Sequence, residues 1–357
     1  MEKMEQRLSQ EIAQIQPVDE HAKELAQKRW NSIAKPLHSL GLLEDAIVTI
    51  AGVQRTPQVR LEKKCVVPFC ADNGVVAQGV TQSGQEVTAI VTENFCSGKT
   101  SVCAMARAAG ADVIPVDIGV SKDVSGEGLR VHKIAYGTAD ITQGPAMSRE
   151  QAAEAILYGM DLAKELKAEG YSLIATGEMG IGNTTTSSAV AAAVLRCDPI
   201  LVTGKGAGLS EEGLLRKKQL IAEAIRSYDL YAADPFTVLS TVGGFDIAGL
   251  VGMCVGGALF HLPIVLDGVI SMVAALVAER LFPGTKEYLL PSHKGKEPAV
   301  ELLMKELQME PVIDGKMALG EGTGAVMLFA LLDMALQLYE TGTTFSGMQI
   351  SAYKRFT

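Results

Sequence analysis

An α/β fold with a doubly wound, mostly parallel sheet of about six strands is the class this sequence predicts. Three observations carry that expectation. Short apolar runs of strand length, such as 65–70 (CVVPFC) and 171–175 (YSLIA), end in Gly/Asp/Asn turns and alternate with longer helical stretches. Glycine is abundant at 36 and aromatics make up only 5% of the chain, which suits tight βα turns better than a β-sandwich. The chain has 357 residues, 48% of them hydrophobic and 20% charged, enough for a large core and unlike a disordered chain.

In chain order, residues 8–32 read as helical, with Pro17-Val18-Asp19 as a break and new helix start. Ser39 is placed to cap a helix containing Leu42, Leu43, Ile47, Val48 and Ile50. The first strand, 65–70, ends at Ala71-Asp72-Asn73-Gly74, the edge where open α/β sheets bind ligands. Residues 85–109 are mostly helical. They contain SGKTS (97–101), which is not a P-loop, because Glu93 stands where the first glycine belongs and no strand precedes it.

A second strand is predicted at 111–116 and a loop from Ser121 to Gln143. Ser148 with Gln151 forms a capping-box pattern before a helix to Leu166. Further strands are predicted at 171–175, 236–239, 263–266 and 288–290, and helices at 301–307 and after Gly324. The apolar span 247–266 is long enough for a bilayer, but Pro263 divides it and Asp246 and Asp267 bracket it. A buried helix followed by a buried strand fits better than a membrane span. The chain ends, 1–60 plus 305–357, are expected to form a small helical domain beside a Rossmann-like domain, 61–304.

The formal net charge of -9 argues against general affinity for nucleic acid or anionic lipid. Six cysteines lie scattered without a CxxC, which suits free thiols in a reducing cytoplasm, and the opening MEKMEQRLSQ lacks the apolar segment of a signal peptide. Five histidines show no metal-binding spacing.

The stretch most suggestive of function is 171–190. A strand runs into Gly177, Gly180 and Gly182, then Asn183, Thr184 and further hydroxyls open an apolar helix. Glycine turns at a helix start let backbone N–H groups and hydroxyls approach a phosphate. Glu178 inside that turn is no phosphate ligand and implies a second task. Downstream, Gly204, Gly206 and Gly208 surround Lys205, ahead of a helix carrying Arg216, Lys217 and Lys218. That cluster reads either as a solvated face or as a phosphate clamp. Glu321 sits among glycines directly before a long apolar helix.

Eight stretches in one order, KPLHSLGLLE, ADNGVVAQGV, KIAYGTADITQGPAM, GEMGIGNTTT, GLLRKKQLI, VGGFDIAGL, PSHKGKEP and LGEGTGA, give the chain a near full-length resemblance to nicotinate-nucleotide:dimethylbenzimidazole phosphoribosyltransferases. That resemblance implies transfer of 5-phosphoribose from nicotinate mononucleotide to a benzimidazole-type base in cobamide (vitamin B12) nucleotide-loop assembly. It implies an α-riboside phosphate product, no metal or other cofactor, and a cytoplasmic homodimer. By matching motifs, Glu321 is the general base and Glu178 the second active-site carboxylate. Gly180, Gly182, Asn183, Thr184, Gly204 and Lys217 face the phosphoribosyl group, and Gln85 lies beside the aromatic base.

His38, Gln82, Ser83 and Asp246 depart from the family pattern and leave the acceptor open. Alternatives are a subunit of a heteromeric enzyme acting on a phenolic base, or a non-catalytic nucleotide-binding paralogue. A dinucleotide-dependent oxidoreductase would need GxGxxG after an early strand, and no glycine turn here has that spacing.

Overall fold

The computed structural model describes residues 7, 8, 10, 11 and 14–353. Its centre is a 7-stranded sheet: β1 (Lys64–Ala71), β2 (Ala111–Val113), β3 (Val116–Gly119), β4 (Arg130–Val131), β5 (Leu173–Met179), β6 (Ile264–Leu266) and β7 (Leu289–Pro291). The strand order is β4-β3-β1-β5-β6-β7, with β2 also pairing with β1. All the pairings are parallel. The chain winds outward from β1 on one side and resumes at β5 on the other. The gap between the ends of β1 and β5 is therefore the topological switch point, where such sheets place ligands.

The expected strand at 111–116 is split into β2 and β3 by Ile114-Pro115, since proline has no N–H for a ladder. The loop expected from Ser121 to Gln143 contains the two-residue β4. Residues 236–239 are not a strand but part of the helix Pro235–Val242, whose N-cap Asp234 accepts from Phe236 and Thr237. A four-residue apolar run does not settle helix against strand; Asp-Pro at cap and first position is the helix signal that outweighs it. Ser39 is likewise not a cap: the helix Leu42–Gln54 begins after Gly41, with no side-chain cap bond. Instead Glu44, fully buried, accepts the Leu40 N–H at 2.9 Å and pairs with Lys35.

Other local rules held. Asp19 caps Glu20–Ser32, and the Ser148/Gln151 capping box starts Arg149–Ala168. SGKTS links the helices Glu86–Cys96 and Ser101–Ala108, with no strand before it. The six cysteines are free. The expectation of helix from Leu8, and the reading of the first ten residues, fall partly outside the described residues.

Side-chain alternation along the strands divides the core in two. Cys65, Val67, Phe69, Ile174 and Ile264 face one cluster with the helices Arg149–Ala168, Asn183–Leu195, Phe245–Leu259 and Val269–Leu281. Val66, Cys70, Leu173, Ala175 and Val265 face the other, with helices from both chain ends. There Trp30 meets Tyr339 edge-on at 5.2 Å, and Arg29 donates to the carbonyls of Tyr339, Glu340 and Gly342. The C-terminal segment is not wholly helical: β9 (Ile313–Met317) pairs in parallel with β8 (His293–Gly295). Thr323–Thr341 is a 19-residue helix apolar enough to span a bilayer, and half of its apolar window is buried within the protein. The span 247–266 divides as expected into the helix Phe245–Leu259 and β6.

The helices Arg149–Ala168 and Phe245–Leu259 approach closely because glycines meet at their crossing. A Cβ on Gly252 would stand 1.9 Å from the Ile156 carbonyl oxygen, and one on Gly159 would stand 2.2 Å from that of Gly249. Gly252→Ala is therefore expected to destabilise the fold by about 1–3 kcal/mol or more through overpacking. Gly144→Ala, where an added Cβ meets nothing within 4 Å, is the control. Urea denaturation of both variants checks this; equal midpoints would contradict the close packing.

Candidate active site

The end of β5 carries Glu178, whose strand position pairs with Phe69 of β1. The chain then turns through Gly180, Ile181 and Gly182, the last at φ 94°, into the helix Asn183–Leu195. The turn is fastened to its neighbours. Ile181 N–H donates to Thr88 Oγ1 at 3.1 Å, Asn73 Nδ2 donates to the Ile181 carbonyl at 3.4 Å, and a Cβ on Gly180 would stand 2.4 Å from the Ala71 carbonyl oxygen. No side chain fits at that crossing with the end of β1.

Glu321 reaches the same place from the other end of the chain. It has a left-handed backbone, φ 63°, between Gly320 at 85° and Gly322 at 96°. A glutamate in that region is strained and persists only when its surroundings hold it. Asp267, following β6, holds it from below: its carboxylate accepts the N–H groups of Gly322 at 3.2 Å, Gly324 at 2.8 Å and Ala325 at 3.2 Å. This caps the helix Thr323–Thr341 with an acid at its positive end. The Glu321 side chain also has a fixed partner, since its Oε2 accepts the Val102 N–H at 3.0 Å at the start of Ser101–Ala108.

The two glutamates are linked. A Cβ on Gly177, beside Glu178, would stand 2.7 Å from the Glu321 carbonyl oxygen. Burial pushes the Glu178 carboxyl up to about 7, with Asp246 and Asp267 adding repulsion, while Asn183 and the Glu321 main chain favour its ionised form. Asn183 Nδ2 donates to Glu178 Oε2 and, at 3.1 Å, to Asp246 Oδ2. Burial likewise raises Asp246 to about 7.

At the other end of the site, Lys217 is the fully buried member of the basic cluster, and its Nζ donates to Thr184 Oγ1 at 2.8 Å. Burial lowers its pKa to about 8, with Glu297 opposing the shift. Arg216 and Lys218 are not buried with it: Arg216 is exposed and reaches the Gly79 carbonyl at 3.4 Å. The solvated-face reading thus holds for Arg216 and the pocket reading for Lys217. Gly206 N–H donates to Glu297 at 3.0 Å. Gly204 packs against the same carboxylate, leaving no room there for a Cβ.

A cavity of about 290 Å³ joins these groups. Glu178, Gly180, Asn183, Thr184 and Glu321 line it. Lys217 stands behind Thr184, Gly182 borders an adjoining recess with Gln82 and Ser83, and Gly204 lies behind Glu297. Gln85 is not among the residues lining the cavity; its amide donates to the Asn73 carbonyl at 3.1 Å, at the turn after β1. Larger recesses elsewhere contain neither glutamate. Among the described residues no group of three or more His, Cys, Asp and Glu is arranged to hold a metal.

Sequence reasoning missed Asp267, His293 and Glu297, and the apolar wall of Val269, Ile270, Val300, Met317 and Leu319. Asp267 carried a readable signal, an acid directly after a predicted strand. The wall did not, because its members come from segments far apart in sequence. The arrangement offers an apolar wall, two carboxylates in the same cavity, and a hydroxyl–ammonium pair at Thr184 and Lys217. That combination suits an aromatic substrate carrying a distant anion.

Comparison with known proteins places these features in a family. A phosphoribosyltransferase family model matches residues 15–350. The nicotinate-nucleotide–dimethylbenzimidazole phosphoribosyltransferase of Clostridium acetobutylicum is 43% identical over 343 residues, covering 96% of this chain and 97% of that protein. The enzyme of the same name from Acetivibrio thermocellus is 43% identical over 97% of this chain and 99% of its own. The crystal structure of CobT from Thermus thermophilus superposes with a TM-score of 0.88 at 37% identity, covering 93% of this chain and 100% of that one. With a family model matched over residues 15–350 and relatives 43% identical over nearly the whole length, the chain belongs to the nicotinate-nucleotide–dimethylbenzimidazole phosphoribosyltransferase family.

Proposed function

We propose that this protein transfers 5-phosphoribose from nicotinate mononucleotide to a benzimidazole-type base, releasing nicotinate and an α-riboside 5′-phosphate for the lower ligand of a cobamide. The observation that supports this most is Glu321 and Glu178 on one wall of an apolar cavity, with Thr184 and Lys217 beyond them. The homodimeric, cytoplasmic state implied by the family resemblance is part of the same reading.

The chemistry needs little more than these groups. The donor's ring nitrogen is already cationic, so when its bond to C1′ breaks, the electron pair returns to a neutral pyridine and no general acid is required. The acceptor nitrogen forms the new bond to C1′ from the opposite face. That nitrogen supplies its in-plane lone pair, and the proton on the other ring nitrogen passes to Glu321, leaving a neutral riboside. Glu321 Oε2 is held by Val102, and Oε1 makes no hydrogen bond with a described residue, which suits it to take the proton. Glu178, lining the same cavity, is the carboxylate suited to face the positive charge developing on the ribose. Lys217 and Thr184 suit the 5′-phosphate, which is remote from the reacting carbon and serves to orient it.

A mass-spectrometric assay with nicotinate mononucleotide and a panel of dimethylbenzimidazole, benzimidazole, adenine and phenol tests the reading. Nicotinate release with a benzimidazole riboside phosphate is expected, and no product from any acceptor would refute it. Glu321→Ala is expected to keep donor binding by calorimetry and to lower kcat by about 10²–10⁴-fold; near-normal turnover would rule out the base. Lys217→Ala is expected to raise the donor KM with little change in the acceptor KM. Because Lys217 titrates near 8 and only its ammonium form pairs with phosphate, donor kcat/KM is expected to fall as pH rises through about 8. That limb should be missing in Lys217→Ala; a limb that persists would assign it to another group.

A further inference from the structure

We propose that Asp246 is a positioning residue for the two-glutamate site: through Asn183 it holds the Glu178 carboxylate, which in turn packs against the main chain at Gly320-Glu321. The proposal deepens the functional reading above and rests on it.

Asp246 is the second residue of the helix Phe245–Leu259 and is fully buried. Two glycines make room for its carboxylate. A Cβ on Gly244 would stand 2.3 Å from Oδ1, and one on Gly180 would stand 2.9 Å from Oδ2. Oδ1 accepts the Ile247 N–H at 2.9 Å, and Oδ2 accepts Asn183 Nδ2 at 3.1 Å. The same amide nitrogen donates to Glu178 Oε2. An amide NH₂ has two protons, so one Asn183 side chain satisfies both acids at once and fixes their separation. Glu178 passes the constraint on by close packing: a Cβ on the adjacent Gly177 would stand 2.7 Å from the Glu321 carbonyl oxygen, and Glu178 Oε1 lies 2.9 Å from where a Cβ on Gly320 would be.

No salt bridge reaches Asp246 or Glu178 among the described residues. The titratable groups that face the pair are acids: Asp72 after β1, Asp267 after β6, and the Cys70 thiol on β1. A buried charge is retained at such cost only when it is paired or hydrogen-bonded; here the amide and the helix start supply that compensation. Two acids bridged this closely titrate as a unit. The charge on Asp246 opposes ionisation of Glu178, adding to the effect of burial.

Asp246→Asn keeps the shape and an acceptor oxygen for Asn183 but removes the charge, whereas Asp246→Ala removes both. For Asp246→Ala, kcat is expected to fall about tenfold to hundredfold with the donor KM held within about twofold, since misplacing a reacting group costs rate more than binding. Asn183→Ala and the double variant should be equally impaired, because among the described residues the amide is the only link between the two carboxylates. For Asp246→Asn, the neutral-pH ionisation in the kcat profile should move to lower pH, as loss of a like charge eases ionisation of Glu178.

Infrared titration of the free protein reads carboxyl ionisation without any substrate. A protonated carboxyl band is expected to titrate at lower pH in Asp246→Asn than in the unsubstituted protein. That shift supports the linkage even if no acceptor in the panel is consumed, so failure of the reaction reading is seen separately. A band whose titration does not move in Asp246→Asn, or additive losses in the Asn183/Asp246 double variant, would overturn the proposal. If Asp246→Ala does not fold, by circular dichroism, Asp246→Asn carries the test.

Discussion

A glutamate with left-handed backbone, held between two other carboxylates, is the constraint around which this molecule is arranged. Glu321 cannot adopt that geometry by local preference. It is fixed because Asp267 binds the N–H groups just after it and Glu178 faces its main chain. Those two acids stand at the ends of β6 and β5, which are neighbours in the sheet. The parallel register of the sheet thus sets the aim of a side chain that comes from a different part of the chain.

That arrangement explains why the chain ends are built as they are. The helix following Glu321 is long and packs on the sheet face also covered by the N-terminal helices. Trp30, Tyr339 and the carbonyl-binding guanidinium of Arg29 anchor its far end. Lys64 at the start of β1 pairs with Asp333 near its middle at 2.7 Å. With both regions fixed to the sheet, the loop at the helix start has little freedom, as suits a group that must meet a proton within hydrogen-bonding distance.

The site also separates its charges. Acids gather where β1, β5 and β6 end, and burial raises Glu178 and Asp246 together. Lys217, buried in the opposite sense, is kept at the far end behind Thr184. In a chain of net charge -9, one shielded ammonium in a polar recess provides a local anion site that the average surface does not.

The class of fold, most of the elements and the residue types of the site were legible in the order of amino acids. Strand-length apolar runs and strand-end turns are local signals, and so are Asp19, the Ser148/Gln151 box and the 177–186 turn. The glycine spacing drew attention to Glu178 and Glu321, and the family resemblance carried by the order of motifs pointed to Glu321 and Lys217. Which of three adjacent basic residues is buried was not legible, because helical phase against Thr184 chooses Lys217 over Arg216 and Lys218. Packing in three dimensions also settled that Gln85 supports a turn while Asp267 supports Glu321, and that Asn183 joins two acids distant in sequence. The short apolar run 236–239, expected as a strand, became helix for a related reason: its own pattern fits either state. Local sequence sets which conformations are accessible, but which side chain meets which is a property of non-local packing, and pattern alone does not contain it.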